Sequence, residues 1–186
     1  MSTQDKEAFE AELRAYVGRA VGPPVVGRDP VNLAMIRQWC DAMGEEHPAY
    51  LDAEAAGKTV HGEIVAPPTM LQAWTMPGLR GRPAPPPSES GENPMSVLRL
   101  LDEAGFTSVV ATNCTQEYHR YLKLGDHLSV SAYIESVSDE KKTGLGAGHF
   151  VTQAMVYTDQ HGEKVATMRF RLLKFRPPQP DADEDG

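Results

Sequence analysis

The hydrophobic pattern of this chain changes to a period of two from about residue 107, and this change constrains the fold more than any other feature. In residues 128–135 and again in residues 166–172, apolar side chains alternate with polar or charged ones, as in half-buried β-strands. Segments 107–122 and 147–158 are also rich in strand formers. Turn signals separate the segments: Gly125-Asp126, Lys142-Thr143-Gly144 and residues 159–162. The sequence therefore predicts four consecutive long strands joined by short turns, an antiparallel meander.

The first part of the chain shows helical spacing instead. Residues 4–20 predict an amphipathic helix that ends at Gly22. A second helix is expected to begin at Asp29 and to end at Gly44, because a capping aspartate, a proline in the first turn and a final glycine are typical helix boundaries. A short helix around residues 52–56 is expected to follow.

The next predicted helix is cut short. We expect Thr69 to cap it and its few polar residues to leave it buried all round. The sequence Met76-Pro77-Gly78 and the proline-rich stretch 81–92 cannot continue it. Another helix is expected from Asn93-Pro94 to Gly105. Helices followed by a long-stranded sheet predict an α+β fold, in which a curved antiparallel sheet surrounds a shortened central helix.

Composition narrows the class of protein. The chain has 186 residues, enough for a single domain with one core. Its net charge of −8 argues against a nucleic-acid binder, which carries a basic surface. No stretch resembles a signal peptide or a membrane helix. We divide the chain into an N-terminal helical extension (1–24), a domain (25–177) and an acidic disordered tail (178–186).

Two cysteines, Cys40 and Cys114, are present. They show no C-x-x-C spacing, so no disulfide framework is expected and a cytoplasmic location is predicted. We interpret both as small buried hydrophobic residues.

The loop that leaves the second helix carries the candidate site. Glu45 and His47 lie two residues apart beside Pro48, and polar loop residues next to packed elements are often functional. From these residues alone, solvated acids and a surface histidine are the favoured interpretation. The histidines show no close pairing, so no metal site is expected. No G-x-S-x-G sequence occurs, and the glycines of 144–148 lie between strands, which favours a hairpin turn over a phosphate loop.

Large apolar side chains form a second group of candidates: Trp39, Met70, Trp74 and Met76. Core packing is the favoured interpretation. Lining of an apolar ligand cavity stays open, because the shortened helix would leave volume beside it.

Three segments together resemble the MaoC-like, hot-dog-fold enoyl-CoA hydratases and dehydratases, over about residues 25–177. Residues 44–50, Gly-Glu-Glu-His-Pro-Ala-Tyr, fall on the family motif G-D-x-N-P-[hydrophobic]-H. Residues 62–70, Gly-Glu-Ile-Val-Ala-Pro-Pro-Thr-Met, are similar to its lead into the central helix. Residues 116–128 are similar to its F-x-x-P-V-x-x-G-D-x-L strand and turn.

The resemblance implies a single hot-dog domain. It also implies that two catalytic positions have lost their acid/base residues. In the family the motif Asp and His activate the water that is added to an enoyl-thioester. Here those positions hold Glu45 and Tyr50, and His47 lies three residues before the motif histidine. A phenol with a pKa near 10 is a poor proton carrier near neutrality. We therefore expect both motif positions to be inactive. His47 is a candidate to replace the missing imidazole, although it would project in a different direction.

Some members of the family work as pairs in which one subunit is degenerate and shapes the pocket. Residues 72–79 most resemble the larger subunit of the actinobacterial heteromeric steroid side-chain enoyl-CoA hydratase. The resemblance implies a pocket that includes Ala66, Pro67, Met70 and Trp74. It implies an acyl-CoA substrate, no cofactor beyond the CoA of that substrate, and a second MaoC-like subunit with the intact Asp/His pair. An OB-type domain protein and a thiolase-like aldolase are further implied partners.

Two alternatives remain at this stage. One is a self-sufficient homodimeric hydratase or dehydratase that uses Glu45 with His47 or Tyr50. The other is a non-catalytic acyl-CoA-binding or scaffold protein.

Overall fold

A computed structural model describes residues 3–78 and 96–177. The helices of this part are α1 (Thr3–Arg14), α2 (Leu33–Met43), α3 (Pro48–Leu51), α4 (Ala53–Gly57), a central 3₁₀ helix (Pro68–Thr75) and α5 (Ser96–Glu103). The strands are β1 (Val25–Val26), β2 (Ser108–Tyr118), β3 (Ser129–Val137), β4 (Lys141–Thr143), β5 (Gly146–Thr158) and β6 (Lys164–Arg176). The predicted α+β class is confirmed. None of the helices in this part is long and apolar enough to cross a membrane.

The strands form one antiparallel sheet with the order β1-β3-β5-β6-β2, and β4 pairs with β5. The predicted meander is correct for β3, β5 and β6 and wrong for β2. The first long strand does not pair with β3 but lies at the far edge, against β6, from Ser108 opposite Phe175 to Tyr118 opposite Ala166. The reason is that residues 119–128 are no tight turn. They form a longer connection, which an isolated β-bridge between Lys123 and Val65 joins to the segment before the central helix.

Two apolar clusters join the helices to the sheet. In the first, α2 and the central 3₁₀ helix pack on Tyr157, Ala166 and Met168. In the second, α1 and α5 pack on Ile134 and Val151. Val151 and Tyr157 are six residues apart in β5 and therefore project from the same face of the sheet. The helices thus cover one face in two groups.

Helix α1 ends, and helix α2 begins, at a different residue from the one that the sequence predicts. Helix α1 ends at Arg14 rather than near residue 20, because Gly18 turns with a φ of 84° and its N–H donates to the carbonyl of Ile134 on β3. Helix α2 begins three residues later than expected. Its cap is Asn32, whose Oδ1 accepts from the N–H of Met35.

The central helix departs most from expectation. It is a 3₁₀ helix over eight residues, with Pro67 at its N-cap and no side-chain cap, so Thr69 does not cap it. Such helices are short because their hydrogen-bond geometry is poorer than that of an α-helix. Its early end confirms the predicted shortening. The proline-rich stretch 81–92, the helix start at Asn93-Pro94 and the acidic tail lie outside the described residues, and the domain boundaries stay predictions.

Candidate functional site

The loop after α2 is shaped by a glycine. Gly44 closes the helix in the left-handed conformation (φ 65°, ψ 32°), which suits a residue without a side chain. The backbone N–H groups of Gly44 and Glu45 both donate to the carbonyl of Cys40. This confirms the predicted helix end. It also fixes the direction in which Glu45 and the following residues leave the helix.

Two polar side chains of this loop are bonded to its own backbone. Oε1 of Glu45 accepts from the N–H of His47 at 2.8 Å. Nδ1 of His47 accepts from the N–H of Ala49 at 3.2 Å, so that His47 caps α3. An unpaired N–H at a helix start is stabilised by such an acceptor. Glu45 and His47 therefore act as local structural residues in this conformation.

Tyr50 projects beside them as a half-buried phenol. Its ring lies 5.3 Å from that of His47, centroid to centroid. Burial raises the pKa of Tyr50, and the neighbouring Tyr121, Glu45 and Cys40 add to the effect. Within residues 3–78, no hydrogen bond joins the side chains of Glu45, His47 and Tyr50 to one another. The arrangement therefore offers a neutral phenol and two groups bonded to the backbone, without a proton-transfer pair.

The loop lies next to the end of the edge strand β2. The N–H of Val65 donates to the carbonyl of Ala49 at 3.4 Å, and Ala66 donates to Leu122 at 2.8 Å. The rings of His61 and Tyr121 are 4.3 Å apart. Tyr121 follows β2 by three residues, so these contacts connect the motif loop to that edge of the sheet.

The four predicted substrate-binding residues lie close to one another but are covered. Ala66, Met70 and Trp74 belong to the first apolar cluster, and Pro67 is buried beside them. The side chains of Ala66, Met70 and Trp74 are each at most 3% exposed. Their role in substrate binding stays a prediction. Of the other large apolar candidates, Trp39 packs on the same cluster, whereas Met76 is 59% exposed.

A cavity of about 290 Å³ lies beside these residues, between the end of the 3₁₀ helix and the sheet. Its walls come from three places: the N-terminal segment around Val21–Val25, the helix end from Gln72 to Pro77, and the inner face of β3 and β5. The volume is near the lower end of the range for small-molecule sites, about 300–1,000 Å³. Sequence reasoning predicted free volume at this helix end but did not identify its wall residues on β5.

Two further predictions can be compared with the structure. Cys40 is buried as predicted, but Cys114 is exposed, because it lies on the open edge strand β2. Both thiols are free. Residues 144–145 form the turn between β4 and β5, and residues 146–148 begin β5, so the predicted hairpin is confirmed. Across residues 3–78 and 96–177, no group of three or more metal-binding side chains is found.

A family model described as "FAS1-like, dehydratase domain region" matches residues 15–168. The chain belongs to this FAS1-like dehydratase family. The motif loop, the covered core residues and the cavity walls all lie within the matched residues, and the resemblance to this dehydratase family is confirmed.

Two curated relatives are similar over nearly the whole chain. One is a "Probable enoyl-CoA hydratase alpha subunit" of Thermomonospora curvata, 50% identical over 178 residues, which are 96% of this chain and 55% of the relative. The other is the "3-oxo-4,17-pregnadiene-20-carboxyl-CoA hydratase alpha subunit" of Mycobacterium tuberculosis, 47% identical over 164 residues, 86% of this chain and 50% of the relative. The chain thus spans about half the length of the curated relatives it matches.

Solved structures confirm the hot-dog fold of this FAS1-like dehydratase region. A chain of the ChsH1-ChsH2 complex from Mycobacterium tuberculosis superimposes with a TM-score of 0.80 and 40% identity, over 98% of this chain and 99% of that one. A MaoC-like dehydratase superimposes with a TM-score of 0.58 and 21% identity, over 88% of this chain and 43% of that one. The second likeness bears on the fold alone.

Proposed function

We propose that this chain is the pocket-forming, non-catalytic part of a heteromeric enoyl-CoA hydratase. Its substrate is a bulky, steroid-derived CoA thioester, and a second hot-dog subunit supplies the catalytic Asp and His. The observation that carries the proposal is the local bonding of the motif loop, where Glu45 and His47 are engaged with backbone N–H groups. The names of the relatives, two hydratase alpha subunits, support it.

The reaction itself is redox-neutral. Water adds across the α,β-double bond: its oxygen bonds to the β-carbon, and a proton is delivered to the α-carbon through an enolate. The partner's Asp and His would activate the water and carry the proton. Since CoA is part of the substrate, the proposal includes no separate cofactor. The present chain would bind and orient the acyl group, which lowers the entropic barrier of the step.

The edge strand β2 supports a partner at this site. It is eleven residues long, its only charged residue is Glu117, and nearly all its side chains are exposed. Of the two strands at the ends of the sheet, β1 has only two residues. Long uncharged edges invite pairing with another chain. We propose that the second hot-dog subunit extends the sheet along β2, next to the motif loop.

The test is a comparison of the chain alone with the chain co-expressed with a small hot-dog subunit that carries an intact D-x-N-P-x-H motif. The substrate is 3-oxo-4,17-pregnadiene-20-carboxyl-CoA, which the Mycobacterium tuberculosis relative's name specifies, and the readout is loss of enoyl-thioester absorbance. We expect turnover by the complex and none by the chain alone. Turnover by the purified single chain would favour the self-sufficient hydratase. Binding without turnover in any complex would favour the scaffold protein.

The OB-type domain protein and the thiolase-like aldolase stay proposals, to be tested by co-purification with the complex. A cytoplasmic location is likewise proposed. It is supported by two free thiols in a chain without a disulfide.

A further inference from the structure

The cavity exists because the central helix stops. Its last residue is Thr75, and Met76 is already extended (φ −67°, ψ 137°) with Pro77 after it. A proline has no N–H to continue the helix. The inner face of β3 and β5 beyond this point, at Ala132, Gln153 and Met155, therefore lines a cavity.

The cavity wall is mostly apolar but contains buried polar side chains. Tyr157, Thr75 and Gln153 line it and are 1%, 7% and 7% exposed. Buried polar side chains of this kind are costly to keep unless they are hydrogen-bonded. Their position on the wall of a cavity, instead of deep in the apolar clusters, gives them access to a ligand.

The hydroxyl of Tyr157 has two partners within the chain, the side chains of Met155 and Thr75. Its acceptor is the thioether Sδ of Met155 at 3.8 Å, and thioether sulfur is a poor acceptor. The side chain of Thr75 is hydrogen-bonded to the Tyr157 hydroxyl, and the Oγ1 of Thr75 donates at 3.4 Å to the carbonyl of Gln72. Burial raises the pKa of Tyr157 to about 12. The phenol is therefore neutral at any physiological pH, and with Thr75 it forms a pair of hydroxyls on the cavity wall whose bonds to Met155 and Gln72 are long, 3.8 and 3.4 Å.

We propose that the hydroxyls of Tyr157 and Thr75 bind an oxygen substituent, a ketone or hydroxyl, on the rigid apolar ring system of the acyl group. The inference rests on the proposed function and adds the residues that select its substrate. The apolar wall would hold the rings, and the phenol would donate to the oxygen. A buried donor also disfavours an analogue that lacks this oxygen, because the donor then loses water without gaining a better acceptor.

The experiment uses the complex and two CoA thioesters, 3-oxo-4,17-pregnadiene-20-carboxyl-CoA and its analogue without the ring oxygen. Tyr157→Phe removes only the hydroxyl. We expect it to lower kcat/KM for the oxygenated thioester about tenfold, the effect of losing one buried hydrogen bond, and to leave the deoxygenated one unchanged or improved. Thr75→Val, of similar shape, should act in the same direction.

The matched control is Tyr133→Phe, because Tyr133 is exposed and pairs with Ala154, one residue out of phase with the cavity face. It should change neither substrate. Thermal unfolding of each variant checks its fold. Equal losses of Tyr157→Phe on both thioesters, or no loss on either, would overturn the inference. Hydration of both thioesters by the unmodified complex would meanwhile leave the proposed function standing, so the two can fail separately.

Discussion

The carboxylate of Glu45 accepts a hydrogen bond from the backbone N–H of His47, at 2.8 Å, and this bond joins the two acid/base candidates without a contact between their side chains. The imidazole of His47 in turn accepts from Ala49. Both residues therefore stabilise the turn into α3. In a chain whose motif positions have lost the usual Asp and His, this arrangement favours a supporting role for the loop.

Glu45→Gln tests that role directly. The substitution removes the charge but keeps an oxygen that can accept from His47. We expect the turnover number of the complex to change less than about threefold, whereas loss of a true general base costs about 10²–10⁴-fold. The positive control is Asp→Asn in the partner's intact motif, which should abolish turnover. A hundredfold loss in Glu45→Gln would instead identify Glu45 as an acid/base residue.

A second prediction concerns the edge strand. Val109 is 56% exposed on β2, and a lysine there would place a charge in the proposed interface. We expect Val109→Lys to weaken association with the partner subunit about tenfold or more, because a buried unpaired charge is costly. Val17→Lys is the control, since Val17 is 45% exposed and the next residue, Gly18, bonds to β3, which β5 and β6 separate from β2. Association is measured by sedimentation or calorimetry; an unchanged affinity for Val109→Lys would place the interface elsewhere.

Gly27 provides a third prediction, about the end of the central helix. A Cβ at this position would lie 2.4 Å from the carbonyl oxygen of Trp74. Because that atom belongs to the backbone, we expect Gly27→Ala to displace the helix end and to destabilise the fold by about 1–3 kcal/mol. Gly57→Ala is the control, since its nearest new contact is at 3.9 Å. Urea unfolding measures the stability of both variants. Equal midpoints for the two would contradict the prediction, because the helix end would then move without a loss of stability.

These residues also show what the sequence could predict. The strands and the end of α2 at Gly44 follow from local pattern, period two and a terminal glycine. The pairing of β2 with β6 does not, because it joins residues such as Ser108 and Phe175 that are far apart in the chain. The exposure of Cys114 was missed for the same reason. The sequence pattern predicts only that Tyr157 is an inward-facing strand residue. That it lines a cavity depends on where the central helix ends, which the structure shows.

A fourth prediction follows from Asp159, in the turn between β5 and β6. Burial alone would raise its pKa, but the N–H groups of Glu163 and His161 and the guanidinium of Arg120 outweigh burial and lower it below its ordinary value of 3.8. A lowered pKa in the folded state means that this group stabilises the fold above its unfolded pKa. That contribution is lost as the pH falls through the folded value.

We therefore expect stability to decline as the pH falls below about 4, and Asp159→Asn to make the decline shallower while lowering stability at neutral pH. Glu54→Gln, in an exposed helix pair with Lys58, serves as the control. Urea midpoints across the acid range are the measurement. A decline of the same slope in Asp159→Asn and in the unmodified chain would contradict the assignment.

The two thiols give a final prediction, because one lies in the core and the other on the proposed interface. Cys40 is 1% exposed, and burial, with Glu45 and Asp41 nearby, raises the pKa of its thiol. Cys114 is exposed on β2. Since the thiolate is the reactive form, a maleimide should label Cys114 in the folded chain alone and reach Cys40 only after unfolding.

In the complex, Cys114 should become protected as the partner covers β2. Mass spectrometry of labelled peptides distinguishes the sites, and the variant Cys114→Ser supplies the blank. If Cys114 were labelled equally fast in the chain alone and in an active complex, the partner would have to bind without covering this edge.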